Sequence, residues 1–378
     1  MGFVAAALFP PPVEYIQGIT LPANIPPTGF YSKQTLITLE WDGFHDLIVI
    51  DEIARCGYLG VNWGLSCGNT IGCPPIINYG SPEQKKRFLP SILRGEKRMC
   101  LAITEPIAGS DVAGIQTTAH KSHDGKYYIV NGQKKWITNG IWADYCTCAV
   151  RTGGSGALGI SALIVPLKNY PGVTLRKLQN SGVNASGSTF IEFDDVKVPV
   201  ENLLGKENEG FKIVMSNFNH ERLWLGITSL RLARVCCEDA YSHAVTRHTF
   251  GKPLLSNQVI RAKFTEMGRM IETTQALIEN MIYHSTTVDS ERREKDLAAW
   301  YALIKVQAGR TLEFVNREAQ QVLGGLGYAR GGRGGRVEQI SRDLRVLVVG
   351  GGSDEILTDL VARQMDAKAK KLRGSAKL

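Results

Sequence analysis

Three short stretches hold the residues best suited to chemistry. The first is Leu101-Ala-Ile-Thr-Glu-Pro-Ile-Ala-Gly-Ser-Asp111, where the hydroxyls of Thr104 and Ser110 flank Ala108-Gly109. Those small residues let a ligand approach the backbone, and Pro106 stops any helix and stiffens the turn. Backbone N–H groups and hydroxyls presented in this way can meet a flat polar ring and phosphate oxygens. Taken alone, such a Gly/Ser/Asp/Pro cluster is more often a plain turn. The second stretch, Lys135-Trp-Ile-Thr-Asn-Gly140, adds an indole and a hydroxyl. The third, Asn219-His-Glu-Arg-Leu223, sets an acid beside an arginine where periodicity starts a long helix, with Asn219 as its N-cap. There the plain reading of Glu221 is a first-turn acid favoured by the helix dipole.

The first two stretches together resemble the acyl-CoA dehydrogenase family, whose flavin ring lies between a "TEPxxGSD" loop and a "WIT" strand. Further motifs follow in the family's order. Phe193–Gly205 resembles "FxDVxVPxxNLLG", Arg247-His-Thr-Phe-Gly-Lys-Pro253 resembles "RxTFGxP", and Gln321–Tyr328 resembles the "QxxGGxGY" turn. The resemblance runs from Phe44 almost to the end of the chain. It implies FAD as cofactor, with Leu101, Ile103, Thr104, Gly109, Ser110, Trp136 and Thr138 at the ring and pyrophosphate. Arg247, Thr249 and Phe250 would grip the FAD of a neighbouring subunit, with Gln321, Gly324, Gly325 and Ser353 at the same cofactor. A homo-oligomer follows, a tetramer by family habit.

The reaction that the resemblance implies removes an α-proton from an acyl-CoA while hydride leaves the β-carbon for flavin N5. It needs a desolvated carboxylate as base and donors on the thioester oxygen. Most family members place that base in a "YEGTSEI" loop. Here the loop reads Gly350-Gly-Gly-Ser-Asp-Glu-Ile356, so the base position is Gly351. The isovaleryl- and long-chain-type members carry their base in an "ERL" motif instead, which Glu221 matches, with Arg222 at the family's active-site arginine. The resemblance therefore makes Glu221 the base, with Ser110, Arg222 and the backbone of Gly351 at the substrate. Asp354 and Glu355 are further acids, one of which opens the next helix. Two other readings stay open: an acyl-CoA oxidase delivering electrons to O₂ rather than to an electron-transfer flavoprotein, and a degenerate member that only binds.

Composition bounds these readings. The chain has 378 residues, enough for two or three domains. A net charge of +8 is inflated by Lys and Arg near the C-terminus. It reads as solvated basic segments and suits polyanionic ligands such as CoA and FAD, so no nucleic-acid partner is expected. No apolar run reaches spanning length, so no membrane span is expected. The eight cysteines include no CxxC and mostly lie in apolar runs, which points to reduced core thiols and no metal. The start lacks the basic region of a targeting leader, while the chain closes on Ala376-Lys377-Leu378, a peroxisome-type tripeptide.

The elements that must position these residues read as α+β in three parts. Residues 1–98 form an N-terminal helical domain, shortened relative to the family. Its start is Pro-punctuated, and 29–41 lean toward strand. A helix follows from Phe44, and another has Ser81 as N-cap and stops at Pro90. Residues 99–205 form an antiparallel β-domain with hairpin turns at Asp124-Gly125 and Asn131-Gly132. Residues 206–370 form a C-terminal helical bundle. It includes a helix whose stripe is Ile260, Phe264, Met267 and Ile271, a helix over about 293–322, and a Gly/Arg-rich loop at Ala329–Arg336. Residues 371–378 form a basic tail. Deleting Ala376–Leu378 is expected to move a tagged protein from peroxisomes to cytosol with an unchanged melting temperature. A cytosolic intact chain would refute the address.

Overall fold

The computed structural model describes residue 15 and residues 42–288 and 297–375. The Pro-rich start, the strand expected at 29–41 and the terminal tripeptide lie outside these residues. The described chain divides into two compact units. One comprises Gly60–Asn180 and Asn184–Asn217, the other Gly43–Leu59, Ser181–Val183 and Phe218 onward.

The first unit is a sheet with short helices. Its strands are β1 (Met99–Ala102), β2 (Thr118–Lys121), β3 (Tyr127–Ile137), β4 (Tyr145–Arg151), β5 (Ile160–Pro166), β6 (Val173–Lys177), β7 (Thr189–Pro199) and β8 (Leu203–Leu204). The order is β6-β7-β3-β2-β4-β5-β8, with β1 also on β4. Pairing is antiparallel except that β1 and β2 meet β4 in parallel. Alternate residues of β3 and β7 point inward, so Tyr128, Val130, Ile191, Val196 and Val198 build one core with Cys146 and Cys148.

Asn131-Gly132 is not a turn. β3 runs through it, with a register shift against β7 between Val130 and Gly132. Gly132 holds φ +140, and a Cβ there would lie 2.7 Å from Thr117 Cα. Here the glycine serves a bulge and a close backbone approach. Asp124-Gly125 is a true turn, with Asp124 accepting from Ser122 Oγ at 2.6 Å and from the Lys126 N–H at 3.1 Å.

In the second unit α1 (Gly43–Ala54) comes first. The helices of the first unit follow in the chain: α2 (Leu59–Asn62), which the division of units splits, α3 (Gly68–Gly72), α4 (Pro74–Tyr79) and α5 (Pro82–Leu93). Ser81 caps α5 in a capping box with Gln84. Pro90 does not end α5. The helix continues through it to Leu93, because Phe88, Leu89, Ile92 and Leu93 are all buried in one cluster. Burying four large apolar side chains outweighs the single backbone bond that proline forfeits.

The remaining helices are α6 (Gly210–Thr246), α7 (Gln258–Thr287), α8 (Ala298–Leu323), α9 (Gly335–Val349) and α10 (Asp354–Ser375). A two-stranded ribbon joins α6 to α7, β9 (His248–Thr249) with β10 (Lys252–Pro253). On α7 the buried stripe begins at Met267 and Ile271 and continues through Ile278, Met281 and Ile282. α8 is buried on most of its circumference and packs against α7, α9 and α10. Asn219 does not cap a helix. α6 begins nine residues earlier at Gly210, so Asn219 and Glu221 sit in its interior. Ser216 and Asn217 resemble a break, but buried Ile213 and Val214 carry the helix through them. Nor is 329–336 all loop: Gly332–Gly334 is a 3₁₀ turn, and Arg336 lies on α9, bonded to Asp239.

Asn139 ties the first unit's helical path to its sheet. Its amide donates to the carbonyls of Trp63 (3.0 Å) and Ser186 (2.7 Å), and its Oδ1 accepts from the Gly68 N–H at 2.8 Å. It also holds a left-handed backbone, φ +62. Asn139→Ala removes three buried hydrogen bonds, though the Ser186 carbonyl keeps the Asn139 backbone N–H at 2.8 Å, and is expected to cost about 3 kcal/mol, measured as the shift in urea midpoint.

Candidate functional site

In the first unit, the loop after β1 is held by a buried ion pair. Lys134, fully buried on β3, donates to Glu105 Oε1 at 2.8 Å and to the Ile103 carbonyl at 3.0 Å. Glu105 also accepts from the N–H groups of Gln116 (2.6 Å) and Thr117 (2.9 Å). Burial opposes its charge, but Lys134 and these bonds outweigh it and hold the carboxyl below its ordinary range. Sequence reasoning missed both residues. The available signal was the period-two pattern of β3, which points Lys134 to the same face as Tyr128 and Val130 and so demands an acid partner.

On this frame the predicted ligand residues divide. The side chains of Leu101 and Ile103 are buried, leaving only their backbone to face a ligand. Thr104 is half-buried, and its carbonyl accepts from the Lys135 N–H at 2.8 Å, which joins the loop to the "WIT" strand. Gly109 and Ser110 are exposed, and no atom lies within 4 Å of a Cβ built on Gly109. Trp136 is 54% exposed with φ +66, a strained setting for a bulky residue. The Lys135 ammonium stands 4.8 Å from its ring centre, and Thr138 is half-buried. The unit thus presents an open indole, hydroxyls and a small-residue turn together, a set that fits a flat ring carrying phosphates.

In the second unit, Glu221, Arg222 and Gly351 come together. Glu221 Oε2 is buried with no hydrogen-bond partner. Burial pushes its pKa up to about 7, against the pull of Arg222, His220 and Lys305. A Cβ built on Gly351 would lie 3.9 Å from Glu221 Oε1. Arg222 Nε donates to the Gly351 carbonyl at 3.1 Å, and its guanidinium stands 5.7 Å from the Phe218 ring centre. Because Glu221 is in mid-helix, the first-turn explanation for an acid there does not apply.

Gly351 and Gly352 are held in left-handed backbone, φ +65 and +107. A side chain at 351 would also meet Leu225 Cδ1 at 2.7 Å. Lys305, buried on α8, pins this loop by donating to the carbonyls of Val348 and, at 2.8 Å, Gly352. Its ammonium also lies 3.6 Å from Asp354 Oδ1, and Asp354 Oδ2 accepts from Arg310 at 3.1 Å. Asp354 is therefore engaged as the opening acid of α10, with the Ser353 carbonyl accepting from the Leu357 N–H at 3.0 Å. Lys305 gave no sequence signal, since nothing local distinguishes it from other helix lysines.

Elsewhere in this unit, Arg247 is exposed just past α6 and Thr249 keeps a buried hydroxyl without a partner. Phe250 is fully exposed at 102% with φ +51. Gln321, Gly324 and Gly325 lie exposed where α8 ends, and Gly324 takes φ +59.

Three family models match the chain in order. They are the acyl-CoA dehydrogenase N-terminal domain over residues 34–96, the middle domain over 100–196 and the C-terminal domain over 208–366. The acyl-CoA dehydrogenase AFT10-1 of Alternaria alternata is 49% identical over 363 residues, 95% of this chain and 81% of that protein. The chain belongs to the acyl-CoA dehydrogenase family. An acyl-CoA dehydrogenase structure from Geobacillus kaustophilus aligns with TM-score 0.77 and 33% identity, covering 87% of this chain and 84% of its own. One from Bacillus anthracis, complexed with FAD, aligns with TM-score 0.80 and 28% identity, covering 88% of this chain and 58% of its own. The N-terminal model reaches back to residue 34, before Phe44 where the motif resemblance begins. Residues 34–41, which alternation alone reads as strand, therefore belong to the stretch shared with other acyl-CoA dehydrogenases.

Lys134→Met leaves Glu105 buried without its counter-ion. A loss of about 3–5 kcal/mol in urea unfolding is expected. Adding Glu105→Leu removes the uncompensated charge and should recover part of that loss, the remainder being the cost of leaving the Gln116 and Thr117 N–H groups without this acceptor.

Proposed function

We propose that the protein catalyses FAD-dependent α,β-desaturation of an acyl-CoA thioester, with Glu221 as the base. The enzyme is a flavin-dependent oxidoreductase and its cofactor is FAD. The observation that carries the assignment of the base is the Glu221 carboxyl, buried and unpartnered at Oε2 and poised near neutrality beside Gly351. A carboxylate in that state takes up a proton with little penalty, as a general base requires.

In this reading, the open hydroxyls and small residues at Thr104, Gly109 and Ser110, with Trp136 and Thr138, hold the flavin. Arg247, the unpartnered Thr249 hydroxyl, Phe250, Gln321, Gly324, Gly325 and Ser353 contact the FAD of a neighbouring subunit, and Leu101 and Ile103 act through their backbone. Bound FAD supplies the acceptor for the β-hydride. Glu221 receives the α-proton as the α,β double bond forms. The Gly351 N–H, which makes no hydrogen bond among the described residues, is available to the thioester oxygen. Arg222 orients the Gly351 loop through its carbonyl and tempers the rise in the pKa of Glu221. Ser110 is a further substrate contact.

Phe250, fully exposed, and Tyr328, 88% exposed, support a homo-oligomer, a tetramer by family habit, in which a second copy covers them. The terminal tripeptide supports a peroxisomal address. Reoxidation of the reduced enzyme in air separates an oxidase from a dehydrogenase that needs an electron-transfer flavoprotein.

Glu221→Gln should retain FAD and acyl-CoA binding and slow flavin bleaching under anaerobic stopped flow by a factor on the order of 10² or more. In the wild type, the base must be ionised, so the bleaching rate should rise with pH through about 7, and that limb should vanish in the variant. Bleaching at the wild-type rate in Glu221→Gln would remove Glu221 from the mechanism. Asp354, held by Lys305 and Arg310, is no substitute.

A further inference from the structure

Asp46 on α1 is buried, its side chain 3% exposed, and a carboxylate out of water needs a cation. It takes the imidazole of His220 on α6, whose Nε2 lies 2.8 Å from Asp46 Oδ2. A carboxylate only accepts, so Nε2 is the donor. Both residues belong to the second unit. The packing of α1 on α6 does not rest on this pair alone. Asp51, further along α1, holds Arg231 of α6 by two bonds, one of them from Nε to Oδ1 at 2.8 Å. Leu47 and Ile50 of α1 are buried as well.

His220 directly precedes Glu221 on α6. Consecutive Cα atoms lie about 3.8 Å apart, and successive side chains diverge by about 100° around a helix. The imidazole and the Glu221 carboxyl thus point apart, yet their charges act on each other through protein rather than bulk water. Burial raises the proton affinity of Glu221, and Arg222, His220 and Lys305 restrain that rise in this order. Arg222 and Lys305 also hold the Gly351 loop, through the carbonyls of Gly351 and Gly352. His220 is held by Asp46, and its side chain is 20% exposed, so it can exchange protons with solvent. Of the three cations, only an imidazole ordinarily changes charge near neutrality. Other charged or titratable groups surround the pair on the elements packed here. They are Asp42 and His45 beside Asp46, and exposed His284 on α7, the helix that meets α1 where Ile282 lies against Gly43.

We propose that Asp46 and His220 form a positioning pair for the base: Asp46 holds the imidazole charged, and that charge keeps the Glu221 carboxylate available to accept a proton. The inference rests on the reading of Glu221 as base. The pair itself transfers no proton and acts through space. A neutral side chain at 220 removes the attraction and leaves Asp46 without its cation, and both changes make Glu221 hold its proton more tightly. A permanent cation at 220 preserves the attraction whatever happens to Asp46.

Two readouts on the full-length holoenzyme follow the same carboxyl. Without substrate, pH-difference infrared spectra report the protonation of Glu221 through its carboxyl stretch, identified by its loss in Glu221→Gln. With the acyl-CoA of a chain-length panel that bleaches the flavin fastest, the pH–rate limb reports it again. In His220→Gln both midpoints should move up by about half a pH unit. Bleaching below the limb then slows about threefold, and the plateau above it is kept. His220→Arg, charged at every working pH, should return both midpoints to the wild-type value or below it. Asp46→Asn should move them up in the wild-type background but not in His220→Arg, where no imidazole needs holding. Midpoints that stay in place in His220→Gln while the melting temperature falls would reduce the pair to a structural tie and overturn the proposal. An upward move in His220→Arg equal to that in His220→Gln would overturn it too. A downward move in Asp46→Asn would show that His220 stays charged unaided and would overturn the part given to Asp46. If Asp46→Asn does not fold, the two His220 variants decide the matter. Infrared midpoints that shift as stated, with Glu221→Gln bleaching at the wild-type rate, would sink Glu221 as the base and leave the action of the pair on that carboxyl standing.

Discussion

A carboxylate oxygen deprived of both water and a partner is costly to maintain, and the second unit is arranged to maintain one, Glu221 Oε2. Moving Glu221 from its ordinary value to about 7 corresponds to about 3 kcal/mol of destabilisation of the charged form. The folded state binds this proton more tightly than the unfolded chain does. Stability from this residue is therefore lost as pH climbs from the ordinary glutamate range toward 7, the opposite of the usual salt-bridged acid. Neighbouring groups limit that loss without removing it. Arg222, His220 and Lys305 pull the value down, yet none forms a hydrogen bond to Oε2. A direct ion pair would stabilise the fold further and leave a carboxylate with little appetite for a proton.

The loop opposite this acid is shaped by the same economy of charge. Lys305 is buried, and burial works against its charge. It persists because it accommodates two carbonyls and Asp354 at the junction of α9 and α10. That junction needs a cation, since the last carbonyls of α9 have no helical partner. The left-handed backbone at Gly351 and Gly352 then lets the chain pass close to α6, where Leu225 occupies the space a side chain at 351 would need. The missing acid in this loop and the acid on α6 are thus linked physically: Glu221 sits where a side chain at 351 would have been its neighbour.

The first unit solves a parallel problem with the opposite outcome. Glu105 is also buried, but Lys134 and two backbone N–H groups satisfy it, and its pKa falls. Two glutamates, each with a buried carboxylate oxygen, end up on opposite sides of their ordinary value because one has partners and the other lacks them at Oε2. Glu105 is a structural strut that fixes the turn carrying Thr104 to Ser110. Glu221 remains chemically available.

Much of this was legible in the residues alone. The three-part α+β architecture, the "TEPxxGSD" and "WIT" stretches and the vacancy at Gly351 are local patterns, and local patterns survive in a linear string. What misled were signals with two meanings. Asn131-Gly132 marks a hairpin or a bulge, Pro90 ends a helix unless buried neighbours carry it on, and Asn219 caps a helix unless the helix has already begun. Each was decided by burial, which depends on residues far away in the chain. The same holds for the proposed base. The sequence could name Glu221 as a candidate, but a carboxyl's pKa is set by what surrounds it. Only the packing of α6 against its neighbours took Oε2 of that acid out of water and withheld a partner from it.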